Sequence, residues 1–318
     1  MTRLRQRGAA LLAAMLTVTL VATFAAAAMW QQWRSVEVES AERARLQAAW
    51  VLIGALDWSR LILREDGLNG GPDYLAEPWA LPLQEARLSS FLAAADRDTL
   101  SDATADVRDA FLSGQIIDAQ AKMNVRNLAL SGTVQEFWMQ SFQRLFTRLG
   151  LPVSDLNRIA QGMQAALAGG DDAPLLPQRL EQLTWFGVSP QTLQALAPYA
   201  TVLPTDTLVN LNTAEAIVLT SVVPGLDTAA AQRAVASRGS SYFRTVALAG
   251  RAFGGSAQVD ERYHSIATTF FEVRGRLRLD QAVVEERSLV QRSSDKVSTI
   301  WRERGAIGVA QALEAATR

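Results

Sequence analysis

The longest unbroken run of apolar positions is Ala9–Met29, AALLAAMLTVTLVATFAAAAM, with no charged residue inside it. Arg3, Arg5 and Arg7 precede it, and Gln31, Gln32, Trp33 and Arg34 follow. At a helical rise it just spans a bilayer core, which takes about 20 residues. The helical period then continues to Glu65. Leu46, Trp50, Ile53, Asp57 and Leu61 recur at steps of three and four, and Val51, Ala55, Trp58 and Ile62 broaden the same face. The pattern predicts one long helix, its first half in lipid and its second half docked through that face on a soluble body. Trp50 and Trp58 are expected to pack there.

Beyond this helix the pattern fragments. Asn69-Gly70-Gly71-Pro72 is a loop, and the proline-rich stretch from Tyr74 to Pro82 is expected to lie irregularly over the core. Leu88 to Ala94 suits a short helix or turn, and Asp96 to Asp109 a solvated acidic stretch that lacks an EF-hand spacing. Gln115 to Ala119 is a short strand. Asn124 and Asn127 suit a polar turn whose amides bond nearby backbone. Helices follow over Val134–Leu149, then to Leu167 with Ser154 as the cap, then at Leu180–Leu183 and from Ser189-Pro190. Thr213 caps a helix that turns at Val223–Asp227 into a second, Thr228–Arg238, forming a helical hairpin. After Gly254-Gly255 the period becomes twofold: Arg274, Arg276 and Arg278 alternate with Gly275, Leu277 and Leu279. Strands are therefore expected in Tyr263–Leu279, Asp280–Leu289 and Val297–Trp301, before an alanine-rich tail.

Composition removes several function classes. The chain of 318 residues is long enough for two domains, and its formal net charge of −1 creates no general attraction to nucleic acid. With no cysteine it has no disulfide, thiolate metal site or cysteine nucleophile. The one histidine, His264, excludes a His-rich zinc site and makes any His-based catalysis depend on that residue.

Three readings compete with a retained anchor and a structural body. In the first, the apolar run is a cleaved signal, with Ala26–Ala28 as the cleavage site. Its length exceeds the usual signal core of about 7–15 residues, and the helix continues past it without a breaker until Gly54. Gly8 offers a different cut, one that removes the basic leader and leaves the helix in place. In the second, Asn210–Arg238 is a DNA-binding helix-hairpin-helix, with Arg233 and Arg238 on its second helix. Asp227 stands where such hairpins carry a second glycine against phosphate, and the region has no basic footprint. In the third, Ser240, Ser241, His264 and an aspartate form an exported hydrolase. No nucleophile elbow accompanies them, and His264 in a strand reads as structural.

Taken in order, the Arg7-Gly8 junction, Asp57-Trp58, Tyr74–Ala80, Ile117–Leu128, Val209–Ala214 and Pro224-Gly225-Leu226 resemble the minor pseudopilin K family of type II secretion. The resemblance covers nearly the whole chain. It implies an α+β pseudopilin fold: a long N-terminal transmembrane helix on an antiparallel sheet, with a large all-helical insertion. It divides the chain into a cleaved leader at 1–8, the helix at 9–66, sheet-domain parts at 67–126 and 251–304, the helical insertion at 127–250 and a tail at 305–318. It implies prepilin peptidase cleavage between Gly8 and Ala9, methylation of the new terminus, and no enzymatic activity. Pilins and pseudopilins place glutamate at mature position five; here that position is Ala13, as is typical of family K. A carboxylate in lipid is costly unless paired, and a subunit at the tip has no neighbour ahead of it to supply the partner. The implied partners are the minor pseudopilins I, J and H, the major pseudopilin, the peptidase and inner-membrane lipid, without nucleic acid. The implied place is the bacterial inner membrane, single-pass, N-terminus cytoplasmic and body periplasmic. No cofactor is required; the family leaves open a structural calcium in the sheet domain, with no ligands assigned.

Overall fold

No proline interrupts the chain before Pro72, and helix α1 runs unbroken over Gln6–Asn69. At 1.5 Å per residue it is about 95 Å long. The computed structural model describes residues 6–88, 110–239, 241–279 and 282–305. The expectations for 89–109, including the acidic stretch, and for the tail from residue 306 lie outside these.

The body is built on a five-stranded sheet: β1 (Leu83–Arg87), β2 (Ala110–Asp118), β3 (Phe270–Leu279), β4 (Ala282–Ser293) and β5 (Lys296–Arg304). All neighbours are antiparallel and the spatial order follows the chain order. The twofold alternation in β3 has its expected result. Phe271, Val273, Leu277 and Leu279 join Ala110 and Leu112 of β2 in a core that α1 closes with Ala48, Leu52, Leu56 and Leu63. Arg274, Arg276 and Arg278 point the other way and pair with Glu272, Glu285 and Glu85. Glu286 breaks the pattern: it is paired in register with Gly275 and fully buried, its carboxylate held by Arg302 at 2.8 Å and Arg304 at 2.9 Å.

The docking face of α1 is only in part the expected one: Val51, Ala55 and Ile62 pack against the sheet core, but the stripe through Leu46 and Trp50 does not. Leu46 is 61 % and Trp50 72 % exposed, and Trp58 and Leu61 are exposed too, whereas Ala48, Ala49, Leu52, Leu56, Ser59 and Leu63 are buried. Both stripes are apolar at helical spacing, so period alone does not choose between them. Size does. Alanines let the helix approach the sheet closely, and Gly275 makes room for Leu52: a Cβ there would lie 2.8 Å from Leu52 Cδ1. Strand β1 was also not anticipated. Its sequence LQEAR is polar because it is an edge strand, half-buried and paired on one side. Next to it the proline-rich stretch forms a single 3-10 turn, Pro78–Ala80, which buries Trp79 edge-on against Phe271 at 5.1 Å.

Residues 119–269 intervene between the paired strands β2 and β3. They carry α2 (Glu136–Leu149), α3 (Val153–Ala168), α4 (Pro190–Leu196), α5 (Ala216–Val222), α6 (Thr228–Arg238) and α7 (Val246–Phe253). These pack on their own core, which includes Phe142, Phe146, Leu156, Met163, Leu196 and Leu219. Because Asp118 pairs with Phe271, the insertion leaves and re-enters the sheet at adjacent points. A small cluster of Ala119, Leu203, Phe270 and Leu289, with Trp301 against it, joins the two parts behind the sheet. Ser189 caps α4 as expected, its hydroxyl accepting from Thr192 N at 3.1 Å. Two other caps move. Helix α3 begins after Pro152, with Ser154 inside its first turn, and α5 begins after Glu215, which leaves Thr213 free for another role.

Candidate functional site

Two features stand apart from ordinary packing: a bare helix, and a buried polar junction beneath it. Every residue of α1 from Ala9 to Arg43 is exposed. Such a surface is stable only if something apolar covers it, and this is the one described helix long and apolar enough to cross a membrane. Its few hydroxyls are satisfied internally, as lipid requires. Thr17 Oγ1 donates to Ala14 O at 2.9 Å, Thr19 Oγ1 to Leu16 O at 2.9 Å and Thr23 Oγ1 to Leu20 O at 2.8 Å. Charges resume at Arg34 and pair along the helix, Arg43 with Glu39 at 3.0 Å. Gly8, Ala9 and Ala13 all lie within α1, so the junction and the position that lacks glutamate share one continuous helix.

The junction lies where α1 ends and the insertion begins. Asp118, at the end of β2, is buried and accepts four hydrogen bonds. They come from Gln120 N at 2.7 Å, Asn210 Nδ2 at 2.9 Å, Thr213 Oγ1 at 2.5 Å and Thr268 Oγ1 at 2.7 Å. Asp73 accepts Thr268 N at 2.6 Å and faces Arg292, whose Nη2 lies 2.6 and 2.7 Å from its two oxygens. Arg292 also donates to Thr268 O at 2.9 Å, pairs with Asp66 in the last turn of α1, and lies over the Phe271 ring at 4.8 Å. One network thus ties α1, β2, β3, β4 and the insertion together. Burial pushes the carboxyls of both Asp118 and Asp73 up, the latter to about 6 against the pull of Arg292.

A pH dependence follows. The unfolded chain releases the Asp73 proton near 3.8 and the folded chain near 6, so the folded state holds the proton more tightly. Stability from this group is therefore fully present below pH 3.8 and is lost as pH rises through 6. Two units correspond to roughly 3 kcal/mol. Asp73→Asn removes this slope: from pH 4.5 to 7.5, thermal unfolding of the native chain should fall relative to the variant, and parallel curves would refute the assignment.

Oxygen ligands for a metal converge in the same place. Carboxylate atoms of Asp66, Asp73 and Glu77 lie within 4.8 Å of one another. They do not fit a resident calcium, because the Arg292 guanidinium already pairs with two of them, and Glu77 accepts from Tyr74 N at 3.0 Å and Trp79 Nε1 at 2.8 Å.

Among the described residues the two alternative readings meet residues already engaged in packing. In the helical hairpin Arg238 is buried and donates to the carbonyls of Leu211, Thr213 and Ala214. Asp227 caps α6 through Ala230 N at 2.8 Å. The Gly225 turn, where a phosphate would approach, is covered by residues 256–258: Ser256 Oγ donates to Gly225 O at 3.1 Å and Gln258 N to Pro224 O at 2.8 Å. His264 is also buried. Its Nδ1 lies 2.9 Å from Asp260 O and its Nε2 3.2 Å from Val222 O, and burial lowers its pKa. Ser240 lies outside the described residues.

Asn124 and Asn127 do more than turn the chain locally. Asn124 accepts Arg126 N as expected, but both amides also fasten the segment at 203–207, through Leu203 N, Thr205 O and both main-chain groups of Thr207. Nothing in the sequence marks Asp73, Asp118, Thr268 or Arg292 as members of one site, although Asp118 lies in the strand expected at Gln115–Ala119 and Thr268 in the one expected from Tyr263. The available signal was a charged residue at the end of an apolar strand, a residue type seldom buried without a partner.

A long, bare apolar helix whose lower half closes one face of an antiparallel meander, with a helical insertion between two of its strands, is the pseudopilin fold. Two family models described as "Type II secretion system (T2SS), protein K" match residues 121–205 and 209–267, both within the insertion. The Type II secretion system protein K of Pectobacterium carotovorum subsp. carotovorum is 24% identical over 340 residues, 95% of this chain and 98% of that protein. The protein K of Pseudomonas aeruginosa is 24% identical over 76% of this chain and 74% of its own length. The fold is similar, with a TM-score of 0.62 and 20% identity, to a chain in the crystal structure of the GspK-GspI-GspJ complex from enterotoxigenic Escherichia coli, covering 83% of this chain and 98% of that one. The chain is similar to the type II secretion system protein K family, the minor pseudopilins K, through its insertion, its curated relatives and its fold. That family is a structural component of the secretion machinery and not an enzyme family.

Proposed function

We propose that this minor pseudopilin forms the tip of the periplasmic pseudopilus and starts its assembly, for the export of folded proteins across the outer membrane. The observation that carries the reading is the bare helix with Ala13 in place of a carboxylate. A lipid-embedded subunit without that acid lacks the group that would draw in a neighbour ahead of it, while its exposed helix remains available to subunits behind it. Prepilin peptidase cuts between Gly8 and Ala9, the new terminus is methylated, and α1 anchors the chain in the inner membrane with its N-terminus cytoplasmic and its body periplasmic. The partners are pseudopilins I and J, then H and the major pseudopilin; a similar fold in a complex with I and J supports the first two. The chain is organised as the leader 1–8, the helix 9–66 and a sheet domain interrupted by a helical unit at 127–250.

Two experiments test this. Full-length chain co-expressed with I and J should elute with them as one complex from detergent, whereas separate elution at every calcium concentration would count against the tip role. Gly8→Ala should slow leader removal, read by intact mass after pulse labelling with active peptidase. Processing at the native rate would place the cut elsewhere.

A further inference from the structure

The junction gathers three carboxylates around one guanidinium, which pairs with two of them, and its geometry says what the guanidinium is for. Asp66 sits in the last turn of α1, where the helix already presents partial negative charge. Asp73 follows in the loop after α1 and is buried, and Glu77 is partly buried beside them. Left alone, these acids would repel one another at the point where the membrane helix meets the body. Arg292 comes from β4, is 10 % exposed, and bridges Asp66 through Nη1 and Asp73 through Nη2, which also donates to Thr268 O at the root of the insertion. A small cavity of about 230 Å³ adjoins it, lined by Gly70, Gly71, Thr269, Ser293 and Ser294 among others. Carboxylates, nearby main-chain oxygens and one central positive charge are the parts of a hard-cation site, with the cation supplied by a side chain.

We infer that Arg292 serves as a built-in cation at this junction, doing covalently what a divalent ion would do between the same acids, so that the hold of α1 on the insertion does not depend on metal. A guanidinium suits the role. It is always charged and offers several donors in a fixed plane, so it can bind both aspartates and a carbonyl at once. It also cannot dissociate, so the anchor stays locked whatever the ion content around it.

The test uses the full chain in detergent, with thermal unfolding followed by tryptophan fluorescence. Arg292→Lys keeps a charge in the pocket and Arg292→Gln keeps most of the bulk without it. Lysine should recover at least about 5 °C of the loss seen with glutamine; equal loss in the two variants would overturn a role for charge. Calcium supplies the second measurement. Arg292→Ala should gain about 5 °C or more when calcium is raised to a hundredfold above its Kd. That gain should vanish in Arg292→Ala/Asp66→Asn. A variant that folds only with calcium would support the inference in the same way. In the native chain, Asp66→Asn should leave any response to calcium unchanged, because Arg292 already occupies the place between Asp66 and Asp73. The inference fails if the native chain gains from calcium and Asp66→Asn abolishes that gain, or if calcium does nothing for Arg292→Ala.

Discussion

Asp118→Ala is expected to destabilise the body by about 2–4 kcal/mol, because it leaves buried donors without their acceptor. Four donors converge on this carboxylate, from Gln120, Asn210, Thr213 and Thr268. Without it they face a small hole, and each unsatisfied buried donor costs about 1–3 kcal/mol unless water enters or the hydroxyls rotate. Asp118→Asn should cost less. It keeps the shape and one acceptor oxygen, and the threonine that faces the new NH2 can turn its hydroxyl to accept, so that only Asn210 Nδ2 or Gln120 N loses its acceptor. Urea unfolding in detergent measures both; a loss below about 1 kcal/mol for the alanine variant would mean that the donors find other partners. The same substitution should loosen the insertion relative to the sheet, because Asn210 and Thr213 belong to one and Asp118 to the other. Faster hydrogen exchange at Asn210–Thr213 and Thr268, with the α2–α3 amides unchanged, is the expected pattern.

Gly225→Ala should be as damaging, at about 2–4 kcal/mol, for a reason in the backbone. Gly225 has φ +78, a region that side chains disfavour, and a Cβ there would collide with Ser256 O. The hairpin turn and the segment crossing it cannot both stay in place. Gly70→Ala is the control. Its φ of +64 is similar but nothing lies within 4 Å of a Cβ, so only the conformational cost of roughly 1 kcal/mol applies. Equal losses at the two sites would show that the covering segment simply moves aside. A larger loss at Gly225, with exchange rising at the α5–α6 turn, would confirm that the 256–258 segment packs rigidly against this turn and occupies the place a phosphate would need.

Much of the fold was legible because it follows short-range rules. The uncharged run at Ala9–Met29, the twofold alternation from Arg274 to Leu279, the cap at Ser189 and the turn at Pro224-Gly225 each depend on neighbours within a few residues. The errors share one cause. Choosing Trp50 over Leu52 as the docking stripe, Ser154 over Pro152 as a cap, and Thr213 as a helix cap rather than a donor to Asp118 all concern partners far away in sequence. Strand β1 was missed because an edge strand is exposed enough to read as loop.

By itself the sequence determined that a long apolar helix precedes a mixed body, that the body returns to strands after a helical stretch, and that disulfide, thiolate and His-rich chemistries are absent. Tertiary structure alone decided which stripe of α1 meets the sheet, since two stripes are equally apolar and only the small residues at Ala48, Ala49 and Gly275 allow close approach. It also decided that Asp66, Asp73, Asp118, Thr268 and Arg292 form one junction. These residues lie up to 226 positions apart, and a pairing at that distance leaves no periodic trace in the chain. Burial in a shared low-dielectric pocket makes their charges and hydrogen bonds matter, and only the fold creates that pocket.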